Sequence, residues 1–174
     1  ARSHPQLLAL SAGQHSLTYG QLAQRSSSLA GALVRQSGTP AGQRVMVVME
    51  NRIAFFETLL ACWIAGMCPV PVNAKLHPKE VRHMVVDCQA SLVFCSAQLH
   101  PGLSDTLSTL PQPAWLVSVD SGWYADALKS DPVDCIPMRG DDIAWIFYTS
   151  GTTGVPKGAM LSHLNLLCMS LQYG

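Results

Sequence analysis

The chain has 174 residues, of which 48% are hydrophobic, and this is enough apolar sequence to bury a sizeable core. Eleven basic and eleven acidic side chains leave no net charge. This balance argues against nucleic acid or an acidic membrane surface as an electrostatic partner.

A capping box followed by an apolar stripe predicts a helix near the start of the chain. Thr18 and Gln21 have the spacing at which two residues satisfy each other's backbone N–H groups at a helix start. The apolar residues that follow lie on one helical face: Leu22, Leu29 and Leu33. This stripe stops before Gly38, which marks the end of the predicted helix.

Two apolar segments follow this helix. The continuous run Val45–Met49 is typical of a strand that is buried on both faces. Residues 53–72 approach the length of a membrane span, but a glycine and two prolines interrupt them, and helical spacing is confined to the first half. We therefore expect no transmembrane segment but a buried helix, capped by Asn51 and ended by Gly66, followed by a strand at 68–72.

The middle of the chain continues the alternation of helices and strands. Pro78 suits the first position of a further helix, and residues 92–95 and 115–119 are strand candidates. Residues 98–113 and 121–141 are rich in Pro, Ser, Gly and Asp and are interpreted as connections. Strands that alternate with helices predict an α/β layered fold with a largely parallel sheet flanked by helices, without an internal domain boundary.

The six cysteines show no C-x-x-C pair and no zinc-like spacing. Several lie in apolar runs, so we expect reduced thiols packed in the core of a cytoplasmic protein rather than disulfides or metal ligands. They occupy positions 62, 68, 88, 95, 135 and 168.

The most informative segment is Tyr148–Gly158, which reads Tyr-Thr-Ser-Gly-Thr-Thr-Gly-Val-Pro-Lys-Gly. The apolar run 143–148 before it predicts a buried strand. The leucines after it have near-helical spacing and predict a helix: Leu161, Leu164 and Leu167. A strand, a loop rich in glycine and hydroxyl groups, and a helix together form a recurring site for a polyphosphate.

The residue types of this loop suit phosphate chemistry. Glycines let the backbone approach a ligand, so that amide N–H groups can converge on phosphate oxygens: Gly151, Gly154 and Gly158. Hydroxyl groups add adjustable donors: Thr149, Ser150, Thr152 and Thr153. Lys157 adds a compact positive charge. An ordinary surface turn is the alternative, because the same residue types fill most turns.

The segment is not a Walker A loop. That motif needs Gly directly before its Lys and Ser or Thr directly after it. Here Pro156 precedes Lys157 and Gly158 follows it, so P-loop NTPase chemistry is not supported.

Residues 148–158 instead resemble the phosphate-loop signature of the adenylate-forming, or AMP-binding, superfamily. This superfamily includes acyl-CoA synthetases and the adenylation domains of peptide synthetases. Fainter likeness extends through Leu17–Leu22, Gly42–Val45 (with Gln43 in place of the usual Asp) and Pro69–Asn73. Peptide-synthetase domains more often have Asp where this chain has Asn73, which favours an acyl-CoA synthetase.

The resemblance implies an ATP-dependent ligase that activates a fatty or other organic acid as acyl-adenylate and transfers it to CoA. It implies ATP, Mg²⁺ and CoA as cofactor and cosubstrates, a small carboxylic acid as partner, and no nucleic acid. Residues 1–174 would be the first part of the large N-terminal domain and inactive alone. Lys157 would be catalytic, the chain would supply no metal ligand, and the phosphate-binding residues would be Thr149, Ser150, Gly151, Thr152, Thr153, Gly154 and Lys157.

Two alternatives stay open. An adenylation domain or fatty-acyl-AMP ligase would share the loop but pass its acyl group to a carrier-protein thiol. A short non-catalytic module could have kept the loop for nucleotide binding or for interaction. A peripheral contact with a membrane also stays open.

Other polar residues are interpreted as structural. Asp141 and Asp142 are adjacent, so in an extended chain their carboxylates point to opposite faces and do not form a catalytic pair. Ser162 is expected to cap the helix that follows it. His77 stands where similar enzymes often have Ser or Thr, so we expect a weaker helix cap there.

Overall fold

The computed structural model describes residues 3–38, 41–149 and 156–172. Within these ranges the chain forms eight strands and six helices. In chain order they are β1 (Leu8–Ala12), β2 (His15–Thr18), α1 (Tyr19–Ser37), β3 (Arg44–Val48), α2 (Ile53–Ile64), β4 (Cys68–Val72), α3 (Pro78–Cys88), β5 (Leu92–Cys95), α4 (His100–Leu107), β6 (Trp115–Ser118), α5 (Gly122–Ala127), β7 (Ile143–Thr149), β8 (Lys157–Ser162) and α6 (His163–Gln172).

A parallel sheet of four strands forms the centre, in the order β4-β3-β5-β6. Val45–Val48 of β3 pair with β4 on one side and with β5 on the other, and each of these four residues is at most 1% exposed. A strand that is covered on both faces reads as a continuous apolar run, which is how β3 could be recognised. The predicted α/β fold with a largely parallel sheet is confirmed.

Helices cover both faces of this sheet. On one face α1, α2 and α5 pack around Val47 and Phe94. On the other face α3 and α4 pack around Met46 and Val93. The connection from β3 to β4 runs towards one edge over the first face, whereas the connections from β4 to β5 and β6 return over the opposite face. Right-handed crossovers produce this two-sided arrangement.

Two antiparallel hairpins accompany the sheet. The first, β1–β2, precedes α1. The second, β7–β8, places Tyr148 opposite Gly158 and Thr149 opposite Lys157. Strand β7 lies against β4, and Trp63 Nε1 of α2 donates a hydrogen bond to the Ala144 carbonyl oxygen at 2.7 Å. The hairpin is therefore held beside the edge of the parallel sheet.

The predicted order of strand, loop and helix around the loop is wrong in its last part. Residues Lys157–Ser162 form a second strand, and the helix begins only at His163. Leu161 lies opposite Trp145 in the hairpin and is not helical. Only Leu164 and Leu167 lie in α6, so the spacing of the three leucines spans two elements.

The two segments interpreted as connections each contain a short helix. Residues 98–113 include α4, which buries Leu103 and Leu107. Residues 121–141 include α5, which buries Tyr124 and Ala127. These helices have 8 and 6 residues, so each offers too few apolar positions to show a period.

The helix ends test the capping predictions. The Thr18 capping box is present at α1, and Ser162 Oγ accepts a backbone N–H from the first turn of α6, as predicted. Asn51 does not cap α2, because Arg52 occupies the N-cap position. His77 does cap α3: its Nδ1 accepts the N–H two residues later at 3.2 Å, since an imidazole nitrogen can act as a hydrogen-bond acceptor. That this cap is weaker than one from Ser or Thr stays a prediction.

Residues 53–72 form α2 and β4, as predicted, with the chain turning at Gly66 in a left-handed conformation (φ +68°). In the part of the chain that the structure describes, no helix is long and apolar enough to cross a membrane. The apolar character of this stretch comes instead from burial in the core.

All six cysteines are free thiols, as predicted. Those at 62, 68, 88 and 95 are buried, whereas those at 135 and 168 are exposed. Burial raises the pKa of Cys68 to about 11 and that of Cys95 to about 12. The buried thiols therefore stay protonated and act as small apolar side chains.

One carboxylate lies deep between the helices. Glu57 of α2 has 1% of its side chain exposed and forms an ion pair with Arg25 of α1. Its second oxygen accepts a hydrogen bond from the Tyr124 hydroxyl at 3.2 Å. Such a charge is tolerated in a core only while its partners remain.

Arg25→Ala should lower the free energy of unfolding by about 3 kcal/mol, because the Glu57 carboxylate then loses its counter-charge. The double variant Arg25→Ala with Glu57→Gln should recover part of this loss, since a neutral amide costs less to bury than a carboxylate. Urea unfolding measures both changes. No recovery in the double variant would contradict the assigned role of the pair.

Candidate functional site

The two ends of the predicted phosphate loop lie together at the β7–β8 hairpin. Thr149 is the last residue of β7, Lys157 is the first residue of β8, and the two residues pair directly. Ser150, Gly151, Thr152, Thr153 and Gly154 lie outside the described residues. The structure thus places two of the seven predicted residues side by side, and the phosphate-binding role of the set stays a prediction.

A cavity of about 810 Å³ opens beside Thr149. Its wall is built from the carboxyl ends of three strands and the chain that follows them: residues 49–51 after β3, 71–76 at and after β4, and 147–149 of β7, with Pro156 on the other arm of the hairpin. Ligands of parallel α/β sheets bind outside the carboxyl ends of the strands, and this volume is within the range of small-molecule sites.

Polar side chains of this wall hold the loops in place. Asn73 Oδ1 accepts the Lys75 N–H at 2.9 Å, which closes a turn directly after β4. Glu80 Oε2 accepts the His77 N–H at 2.9 Å and so completes the cap of α3. These two hydrogen bonds fix the backbone between β4 and α3, which forms one side of the cavity.

Several residues of this wall were not assigned to a site from the sequence. Residues 49–51 and 74–76 directly follow two predicted strands of one parallel sheet, and that position was the available signal. Phe147 also lines the cavity, and its ring stacks on Trp145 with centroids 4.8 Å apart. Its part in the site depends on the hairpin, which the sequence did not predict.

The adjacent carboxylates before β7 remain at the surface, as expected. Asp141, 72% exposed, binds the guanidinium group of Arg139 at 3.0 Å, and Asp142 accepts the backbone N–H of Arg139 at 2.7 Å. Among residues 3–38, 41–149 and 156–172 there is no group of three or more His, Cys, Asp or Glu that could hold a metal ion. The candidate site is therefore argued from the two described ends of the predicted phosphate loop, Thr149 and Lys157.

A second cavity, of about 560 Å³, lies between the β1–β2 hairpin, α2 and α5. Its charged groups bind each other: Arg25 pairs with Glu57, and Arg52 pairs with Asp120 at 2.6 Å. Asp120 also accepts the Ala97 N–H at 2.9 Å. The hydrogen bond from Arg52 holds the pKa of Asp120 below its ordinary value. The charged groups of this cavity are therefore already occupied by ion pairs with each other. This favours the first cavity as the candidate site.

The family model for AMP-binding enzymes matches residues 1–174, the whole of the chain. The chain belongs to the AMP-binding enzyme family. This membership confirms the resemblance that the Tyr148–Gly158 segment indicated, and the α/β architecture agrees with it.

Members of the AMP-binding family that are similar to this chain act with different acyl acceptors. Feruloyl-CoA synthase of Amycolatopsis sp is 39% identical over 166 residues, which cover 95% of this chain and 32% of that protein. Fatty acid–[acyl-carrier-protein] ligase ScoC of Streptomyces coeruleorubidus is 31% identical over 164 residues, 94% of this chain and 31% of that protein. The chain spans about a third of the length of these relatives.

Solved structures agree with the family assignment. ATP-bound MatB from Rhodopseudomonas palustris is 31% identical to this chain and matches it with a TM-score of 0.83. The match covers 96% of this chain and 34% of MatB. The fold described above is therefore a fold of this family.

Asp120→Asn should lower the free energy of unfolding at neutral pH by about 0.5–1 kcal/mol, because the pair with Arg52 is partly exposed and screened by water. Since the pKa of Asp120 is lower in the folded chain than in the unfolded chain, its stabilising effect is present above about pH 4 and is lost as the pH falls through the folded pKa. The stability difference between wild type and variant should thus be constant from pH 7 to 5 and shrink towards pH 3.

Urea unfolding at these pH values measures the difference. Asp141→Asn is the matched control, because its carboxylate also binds an arginine but is 72% exposed. A difference for Asp120→Asn that stays unchanged at pH 3 would contradict the assigned pair.

Proposed function

We propose that the intact protein containing this chain is an ATP-dependent acyl-CoA synthetase. The chain would form the first part of its large N-terminal domain. The proposal is carried by the Tyr148–Gly158 segment in a chain of the AMP-binding family, with its two ends paired beside a cavity at the carboxyl edge of the sheet. The substrate would be a fatty or other organic acid, and the feruloyl-CoA synthase relative puts aromatic acids first in a substrate panel.

The proposed reaction has two steps. A carboxylate oxygen of the acid bonds to the α-phosphorus of ATP, and the bond from that phosphorus to the bridging oxygen breaks, so that pyrophosphate leaves. The CoA thiol then loses its proton to water, its sulfur bonds to the acyl carbon of the adenylate, the carbon–oxygen bond to the phosphate breaks, and AMP leaves. The first step brings two anions together and builds charge on pyrophosphate, so it needs positioned donors and a cation.

The loop would supply these donors. Backbone N–H groups and hydroxyls would bind the β- and γ-phosphates, and the Lys157 ammonium would stabilise the departing pyrophosphate. The proposed set is Thr149, Ser150, Gly151, Thr152, Thr153, Gly154 and Lys157. Lys157 is exposed at the start of β8, so its side chain is accessible to a ligand.

Mg²⁺ would supply further charge neutralisation on the phosphates. The Lys157 ammonium group suits phosphate oxygens and not a divalent cation, and the loop sequence contains no carboxylate that could bind the ion. We therefore expect the phosphates and residues outside this chain to hold the ion, and Lys157 to bind phosphate beside it.

The cytoplasm is the proposed location. Free thiols at all six cysteines support it, because oxidising compartments favour disulfides.

Lys157→Ala in the full-length enzyme should slow acid-dependent ATP–pyrophosphate exchange by about 10²–10³-fold, because the developing charge on pyrophosphate loses its cation. Lys129→Ala is the matched control, since Lys129 is also exposed but follows α5 and does not line the cavity beside Thr149. Exchange at the wild-type rate in Lys157→Ala would contradict the role of this lysine.

A carrier-protein thiol is the second candidate acceptor, and the ScoC relative is the observation that favours it. With an acid that supports exchange, we expect acyl-CoA to form when CoA is added and no acyl transfer to a phosphopantetheinylated carrier protein. Mass spectrometry of both acceptors in one competition reaction measures the outcome. Transfer to the carrier protein alone would replace the CoA ligase assignment.

A further inference from the structure

Tyr148 joins the hairpin to α3 through its hydroxyl group. The hydroxyl donates a hydrogen bond to Asp87 Oδ2 at 2.5 Å, and the Met84 carbonyl oxygen lies 3.4 Å from it. Asp87 and Tyr148 are 61 positions apart in the sequence. Tyr148 is also the residue directly before Thr149, so this contact lies at the start of the phosphate loop.

The ring of Tyr148 occupies the space beside Gly158 on the opposite strand. A Cβ atom at position 158 would come within 3.0 Å of Ile146 Cγ2 and 3.3 Å of Tyr148 Cζ. Glycine therefore lets the ring lie across the hairpin, with its hydroxyl directed to α3. The aromatic ring and the glycine form one packed unit at the base of the loop.

Asp87 has a position that local helix electrostatics do not favour. It is the residue before the end of α3, in the last turn, where the helix dipole is negative. The hydrogen bond from Tyr148 compensates for this position, because a hydrogen bond to a carboxylate is stronger than one between neutral groups. A residue that is unfavourable for its own helix but forms a long-range contact indicates a place where the tertiary structure is constrained.

We propose that the Tyr148 hydroxyl and the Asp87 carboxylate are a positioning pair that fixes the start of the phosphate loop against α3. The proposal rests on the proposed function. Successive strand residues point to opposite faces, so fixing Tyr148 on the α3 side fixes Thr149 on the other side. Neither side chain is a catalytic residue, because each acts through the backbone of β7.

The test is Tyr148→Phe in the full-length enzyme, since phenylalanine keeps the ring over Gly158 and removes only the hydroxyl. The kcat of acid-dependent ATP–pyrophosphate exchange should fall by about tenfold to a hundredfold, the effect of a small misplacement of reacting groups. The KM for the carboxylic acid should not change, because phenylalanine keeps the ring that lines the cavity and the removed hydroxyl is bonded to α3. Asp87→Asn, which keeps an acceptor oxygen, should lose less activity than Asp87→Ala.

A double-mutant cycle tests the pair itself. Tyr148→Phe combined with Asp87→Ala should lose no more activity than the more impaired single variant, because both changes remove the same contact. Additive losses would overturn the proposal, as would equal activities of Asp87→Asn and Asp87→Ala.

Tyr124→Phe is the matched control for a purely structural effect. Tyr124 also donates its hydroxyl proton to a carboxylate, that of Glu57, but on the opposite side of the sheet. Tyr124→Phe should lower the melting temperature and leave kcat of exchange unchanged at assay temperatures below the transition. A kcat for Tyr148→Phe equal to that of Tyr124→Phe would overturn the positioning role and leave the proposed function intact. Absence of exchange in the wild type, with any acid, would instead overturn both.

Discussion

The burial of β3 on both faces is the constraint on which the structure depends. Because Val45–Val48 are excluded from water, helices must cover both sides of the sheet, and every connection between its strands must cross one face or the other. All four strands then point the same way, and their carboxyl ends meet at one edge. The cavity beside Thr149 exists at that edge because this arrangement collects three chain segments there.

At the same edge, the Asp120 carboxylate occupies the position between the ends of β3 and β5. Connections leave β3 and β5 in opposite directions, and such a switch point is where doubly wound sheets usually bind a ligand. Here Asp120 accepts hydrogen bonds from Arg52 after β3 and from the Ala97 N–H after β5. The carboxylate and the guanidinium group at this point are therefore occupied by an internal ion pair. The cavity beside Thr149 lies on the β4 and β7 side of this point, where the phosphate loop begins.

Sequence reasoning predicted the parts of the fold whose signal is local. The apolar run of β3 and the Thr18 capping box each need only neighbouring residues. It failed where the deciding contacts are distant. Strand β8 forms because it pairs with β7, and α4 is short and stabilised by burial of Leu103 and Leu107 rather than by its composition. The cavity wall needed the register of the parallel sheet, and the Tyr148–Asp87 contact spans 61 positions, so neither has a local signature.

Asn73 shows how one residue can combine a structural and an electrostatic role. Its side-chain oxygen accepts the Lys75 N–H, and an aspartate would close the same turn. The difference between the two residues is therefore one of charge and not of loop shape. Glu50 and Glu80 already contribute carboxylates to the cavity wall, and an aspartate at 73 would add a third. Lys75 brings one positive charge to the same wall. A neutral amide at 73 keeps the wall less negative than an aspartate would, which favours the anionic acid and the triphosphate that the proposed reaction must bring together.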